Sequence, residues 1–320
     1  MRIPVIVVFA PTATGKTALA LTVFGRGSHS FFKDKAELIS ADSMQVYRKL
    51  DIGTAKPSFE ERQELVHHLI DIRDYTEQYN AADFVSDADL LCREIWERGK
   101  IPVVAGGTGF YIRNFLLGLP ETPESDETLR EELKSRCREK GAEFMYRELL
   151  RVDPESADKI HIHIHDEYRI LRALEVFYLT GKPRSSFSVS NTLRTEYDFT
   201  TVILQRDRNV LYRRIDERVE QMFSLGLEEE VRALMAEGAC ADMPGMKAIG
   251  YREWFSGDME SSGGIERIKG EIQHSSRKYA KKQYTFIQGI PGAHFLSADD
   301  ETALVRDFEE CLYRSLKIMQ

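Results

Sequence analysis

Val5-Ile6-Val7-Val8-Phe9-Ala10-Pro11-Thr12-Ala13-Thr14-Gly15-Lys16-Thr17 decides how the rest of the chain is read. The continuous apolar run 5–9 ends in turn chemistry, the pattern of a strand buried on both faces of a parallel sheet. The loop after it turns successive backbone N–H groups, and the start of the next helix, toward one point, which suits a phosphate or diphosphate. Gly15 allows close backbone approach, Lys16 can reach an outer phosphate, and Thr17 can set its hydroxyl on Mg²⁺. Thr12, Ala13 and Thr14 complete the diphosphate-binding loop. Ala10 stands where the usual P-loop pattern has its first glycine, so the match is one residue short. A plain strand–turn–helix with a surface lysine is the competing reading; Gly-Lys-Thr directly after a buried strand favours the anion site.

The chain has 320 residues, 42% hydrophobic and 30% charged, the composition of a soluble globular protein with one large or two modest domains. No stretch approaches the roughly eighteen consecutive apolar residues of a membrane span. The first apolar run leads directly into the loop, which is not a signal-peptide layout. Cys92, Cys137, Cys240 and Cys311 match no metal or disulfide spacing and read as reduced thiols of a cytoplasmic protein. A net charge of −8 argues against sequence-blind nucleic-acid binding. Three basic bunches keep an RNA partner open: Lys134 to Lys140, Arg206 to Arg218, and Arg277 to Lys282. Each alone reads as a solvated helix face. A monomer is the default expectation.

Strands are expected at 36–40, 67–71 and 101–105, and a helix at 81–98 between Asn80 and Gly99. Gly106-Gly107-Thr108-Gly109 forms a second glycine-rich loop, and strands alternating with helices imply a doubly wound parallel sheet. From 123 to 183 the pattern holds only charged helical segments, at 126–140, 142–150 and 166–180. Strand character returns at 200–204, followed by helices at 208–238, 247–256 and 265–287 and a short strand at 294–296. The expected fold is α/β, a P-loop parallel sheet flanked by helices with a helical insertion domain. Residues 1–122 and 184–320 form the catalytic core, and 123–183 the insertion.

Asp42 follows the second strand, where open α/β sheets place ligand groups. By position it can hold Mg²⁺ through water, act as a general base, or cap the following turn. Thr108 can donate to a substrate oxygen or cap the helix beginning near Phe110. His161, His163 and His165 alternate, but no cysteine accompanies them, so a metal site there is disfavoured. Arg169 and Arg172 can share a helix face with Asp166 and Glu175, as salt bridges or as RNA contacts.

These residues, with Asp42-Ser43-Met44-Gln45-Val46-Tyr47, Asp51-Ile52-Gly53-Thr54-Ala55-Lys56-Pro57, Gly106-Gly107-Thr108-Gly109-Phe110-Tyr111, Arg214-Ile215-Asp216-Glu217-Arg218 and Ala248-Ile249-Gly250-Tyr251, resemble tRNA dimethylallyltransferases (tRNA isopentenyltransferases). The ordered set spans most of the chain and continues to Tyr279-Ala280-Lys281-Lys282-Gln283, similar to the family's basic closing motif. The resemblance implies transfer of a five-carbon prenyl group from dimethylallyl diphosphate to the exocyclic amine of the adenosine 3′ of the anticodon in tRNA. It gives Asp42 the role of general base, with Thr108 holding donor and base together. Lys16, Arg218 and a Mg²⁺ near Thr17 then stabilise the leaving diphosphate. Ser43, Met44 and Gln45 line the adenine pocket. Arg130, Asp166, Arg169, Lys281, Lys282 and Gln283 join Asp42 and Thr108 as tRNA contacts, the insertion gripping the anticodon stem-loop. Gln288 stands where the family tends to have a closing arginine, and no Cys/His finger follows, which implies the bacterial type. The rival reading is a P-loop small-molecule kinase using ATP, with 123–183 as its lid; a pattern search on 10–17 alone returns an ATP-binding label.

Overall fold

The opening run forms β1 (Ile3–Phe9), a central strand of a six-stranded parallel sheet of order β3-β2-β4-β1-β5-β6. The other strands are β2 (Ala36–Ala41), β3 (His67–His68), β4 (Ile101–Gly106), β5 (Tyr197–Gln205) and β6 (His294–Ser297), and β1 pairs with β4 and β5. The computed structural model describes residues 2–158, 162–187, 190–256, 263–287 and 289–316. In register, Phe9 pairs with Gly106 and Ile203, and Ala41 with Gly106. The carboxyl ends of β2, β4 and β1 therefore lie side by side, and the loops leaving them meet at one edge, where open α/β sheets hold ligands.

The helices in chain order are α1 (Lys16–Phe24), α2 (Phe59–Glu64), α3 (Ala81–Glu97), α4 (Gly109–Leu117), α5 (Glu127–Lys140), α6 (Ala142–Val152), α7 (Pro154–Asp158), α8 (Glu167–Thr180), α9 (Arg208–Ser224), α10 (Leu227–Ala236), α11 (Gly264–Ile287) and α12 (Glu301–Ser315). Among the described residues none is long and apolar enough to cross a membrane. The chain divides into two compact units, 1–116 with 193–320, and 117–192. In the first, Ile6, Val8, Leu38, Val103, Val202 and Leu204 pack with apolar residues of α1 and α12. In the second, α5, α6 and α8 bury Leu133, Met145, Leu149, Ile170 and Leu174. A buried Glu175 accepts hydrogen bonds there from Ser125, the Asp126 amide and Arg172.

Several local expectations are corrected. The single helix at 208–238 is two, α9 and α10, divided at Gly226, whose φ of +100° lies in the left-handed region that ends helices. The segment 247–256 holds short 3₁₀ turns instead of an α-helix, because Gly250 turns the backbone at φ +102°. The strand at 67–71 stops after His68, since Leu69 takes φ +61° and leaves the ladder. Helix α2, which the sequence reading did not place, starts at a capping box formed by Ser58 and Glu61. Helix α12, capped by Asp300, was not anticipated.

Candidate active site

The loop between β1 and α1 has the backbone that the sequence indicates, with Ala13 at φ +60° and Gly15 at φ +110°. Ala10, in place of glycine, is fully buried and its methyl packs in the sheet core. Lys16 Nζ folds back onto the carbonyls of Ala10 (2.8 Å) and Pro11 (3.0 Å). Burial, then the Arg218 guanidinium, lower its pKa from 10.5 to about 8, against the opposing pull of Asp42. Arg218 Nη1 donates to Thr12 Oγ1 at 3.1 Å, and burial lowers its own pKa while Asp42 raises it. Thr17 is exposed in the first turn of α1, and the Thr14 hydroxyl is buried without a hydrogen-bond partner.

Two residues of the 206–218 bunch do what composition did not reveal. Arg214 Nε donates to the Ala13 carbonyl (3.0 Å) and Arg206 Nη2 to that of Thr14 (3.2 Å). These guanidiniums hold the loop's carbonyls on one side, so that the bunch is partly a brace for the loop and not simply a solvated face. The signal lay in the bunch itself; its target did not.

Asp42 follows β2, and its Oδ1 accepts the amides of Met44 (2.9 Å) and Gln45 (3.3 Å). The remaining oxygen stays available for chemistry. Thr108 Oγ1 accepts from the Ser43 amide (3.0 Å), and the Thr108 amide donates to the Ala41 carbonyl (3.1 Å). The second glycine loop is thereby fastened to the segment bearing Asp42. Gln45 uses its carboxamide within the protein: Oε1 accepts from the Ser40 hydroxyl (3.1 Å), and Nε2 donates to the carbonyls of Thr54 and Ala55 (both 3.3 Å). The 51–57 loop is seated on Tyr251, whose hydroxyl accepts from the Gly53 amide at 3.1 Å. Lys56, nearly buried, is tied to Asp51, Asp71 and the Tyr47 carbonyl. A cavity of about 610 Å³ opens between this loop and α9, with Ile52, Pro57, Phe59 and Met222 on its walls and Arg218 among its lining.

The residues expected to touch RNA fall in two places. In the unit 117–192, Asp166 caps α8 and pairs with Arg169 (3.1 Å). There too, Arg130 reaches Glu175 (3.4 Å) and lies over the Tyr168 ring, 4.9 Å from its centroid. On α11, Lys281 and Lys282 are exposed, whereas Gln283 is buried with both ends of its carboxamide bonded to protein. His163 and His165 are exposed. His161 and Gln288 lie outside the described residues. No group of three metal-ligating side chains occurs among the described residues.

A family model described as IPP transferase matches residues 45–289. The tRNA dimethylallyltransferase 1 of Trichlorobacter lovleyi is 39% identical over 95% of this chain and 97% of its own length. The tRNA dimethylallyltransferase of a Sulfurihydrogenibium species is 44% identical over 87% of this chain and 86% of its own. The crystal structure of the full-length tRNA isopentenylpyrophosphate transferase of Bacillus halodurans superposes with a TM-score of 0.69 at 32% identity, covering 99% of this chain and 97% of that one. The strand–loop–helix at 3–24, an aspartate at the end of the neighbouring strand and a half-buried arginine from a later helix therefore sit in a familiar frame: this chain belongs to the tRNA dimethylallyltransferase family.

Proposed function

We propose that the chain transfers the dimethylallyl group of dimethylallyl diphosphate to N6 of the adenosine 3′ of the anticodon in tRNA. The observation that carries this reading is convergence. The loops leaving β1, β2 and β4 emerge at one sheet edge, and they bring Lys16, Asp42 and Thr108 together beside Arg218.

The phosphate loop holds the donor's diphosphate through the amides at the start of α1. Lys16 leaves the carbonyls of Ala10 and Pro11 to meet an outer phosphate. As the allylic carbon–oxygen bond breaks, negative charge grows on the departing diphosphate, and Lys16 and Arg218 oppose it. The amine nitrogen forms the new bond to carbon, and its proton passes to Asp42. Assistance of that kind is worth about 10²–10⁴-fold in rate. Thr108 and Ser43 keep the base beside the loop. Gln45 holds the pocket wall for an adenine drawn out of the anticodon loop, with Ser43 and Met44 lining it. Arg130, Asp166 and Arg169 of the helical unit, and Lys281 and Lys282 of α11, are the proposed contacts to the anticodon stem-loop.

Mg²⁺ bound with the donor adds charge neutralisation at the diphosphate. The donor set fits it: the exposed Thr17 hydroxyl and the Asp42 carboxylate would hold the ion, directly or through water.

The test is direct transfer. Purified protein, Mg²⁺ and labelled dimethylallyl diphosphate are incubated with unmodified tRNA bearing adenosine 3′ of its anticodon, with ATP in a parallel tube. Label in that adenosine without ATP is the expected result. No label in RNA, with phosphate moved from ATP to an acceptor, would return the kinase reading.

A further inference from the structure

Gln283 lies near the end of α11 and is only 4% exposed. Its Oε1 accepts the Thr12 amide at 3.1 Å, and its Nε2 donates to the Gly107 carbonyl at 2.7 Å. An amide N–H needs an acceptor and a carbonyl needs a donor, so the two partners also set which end of the carboxamide faces which loop. Thr12 belongs to the loop after β1 and Gly107 to the loop after β4. One side chain therefore spans both loops. The fit is close, because a Cβ on Gly107 would lie 2.5 Å from Gln283 Nε2. Tyr279, one turn earlier on the same helix face, aims its hydroxyl at the same Gly107 carbonyl (3.4 Å). Phe286, almost one turn later, abuts Gly109, where a Cβ would lie 2.5 Å from the ring.

This bridge has a consequence for the anion site. The Thr12 amide is taken by Gln283 and the Thr14 amide by the Pro11 carbonyl (3.4 Å), so the amides left to face a diphosphate are those of Ala13, Gly15, Lys16 and Thr17. Thr12 is also the residue whose hydroxyl receives Arg218. We infer that Gln283 is a positioning residue for the diphosphate donor and not a contact to tRNA: it locks the phosphate loop against the second glycine loop and thereby aims Arg218 and the loop amides. The inference rests on the transfer reaction proposed above.

Two variants test it. Gln283→Met has similar length and removes both bonds; Gln283→Glu keeps the acceptor for Thr12 and, ionised, loses the bond to Gly107. Binding of inorganic pyrophosphate is measured by calorimetry without RNA, tRNA affinity by filter binding, and donor and tRNA KM in the transfer assay. Losing two hydrogen bonds that shape the loop should raise the pyrophosphate Kd and donor KM about tenfold in Gln283→Met, and less in Gln283→Glu. The tRNA constants should stay within about twofold, because the side chain is buried and both ends of its carboxamide are spent on protein partners. A tenfold rise in the tRNA constants with unchanged pyrophosphate affinity would overturn the inference. So would a lower Tm and a smaller active fraction with both affinities intact, the signature of a merely structural residue. If the wild-type protein bound pyrophosphate but modified no tRNA, the transfer reading would fail while the pyrophosphate comparison still judged the clamp.

Discussion

Replacing Lys16 by methionine separates what the residue does for the fold from what it does for the ligand. In the free protein its ammonium is held against two carbonyls, at 2.8 and 3.0 Å, in a place where burial and Arg218 both disfavour the charge. The fall in pKa from 10.5 to about 8 corresponds to a cost of about 3.4 kcal/mol. The two bonds to carbonyls, at roughly 1.5–3 kcal/mol each for a charged donor, offset that cost. Methionine, similar in length and uncharged, should therefore change the stability of the free protein by less than about 3 kcal/mol. With a diphosphate bound the loss is one-sided. A lost charge-assisted contact of about 1.5–3 kcal/mol weakens binding roughly 10- to 150-fold.

Thermal denaturation with and without inorganic pyrophosphate reads both effects. The variant should melt close to the wild type alone and show a much smaller shift on adding pyrophosphate. Native Lys16 gives up its proton near pH 8, whereas the unfolded chain keeps it until about 10.5. Between those values the unfolded state binds more protons, so this residue's contribution to stability rises with pH in the wild type and is flat in the variant. Donor kcat/KM should run the other way, falling above about pH 8 as the free enzyme loses the charge. A variant that melted well below the wild type, yet bound pyrophosphate as tightly, would refute the reasoning.

Asp42→Asn keeps an oxygen for the Met44 and Gln45 amides, so single-turnover transfer should slow by about 10²–10⁴ with pyrophosphate and tRNA affinities unchanged. Gly53→Ala puts a methyl 2.5 Å from the Tyr251 ring and should cost about 1–3 kcal/mol in urea denaturation. Glu175→Ala strands the Arg172 guanidinium and the Asp126 amide, at about 3–5 kcal/mol, and should make residues 117–192 sensitive to protease while pyrophosphate binding persists. Chelation by EDTA should stop transfer, and added Mg²⁺ should restore it.

The strand, loop and helix at 3–24 and the place of Asp42 after β2 were legible, because a buried strand ending in a turn is a local pattern. Helices α5, α6 and α8 were legible for the same reason, their periods lying within each segment, whereas the five-residue α7 was not. Arg206 and Arg214 were not, since their acceptors lie 192 and 201 residues away, and spacing along one helix says nothing of what faces it. Gln45 and Gln283 share that difficulty: a motif names them, but only the fold shows that their carboxamides are used internally. The 3₁₀ turns around Gly250 escaped because a single glycine in an apolar stretch permits either a helix or a turn. Helix α12 carried its own signal in Asp300 and the four-residue spacing of Leu304, Phe308 and Leu312.

Thr12 and Gln283 stand 271 residues apart, which puts a clock into the making of the protein. At about 5–20 residues per second, the first loop leaves the ribosome roughly 15–50 seconds before the side chain that clamps it. Arg206, Arg214 and Arg218 also arrive late, after β1, β2 and β4 have been made. A nascent chain therefore carries the loop without its brace, its clamp or its second cation. It emerges in the neighbourhood of every tRNA the ribosome is using, while the side chain that ties the first loop to the second is made only with the end of α11.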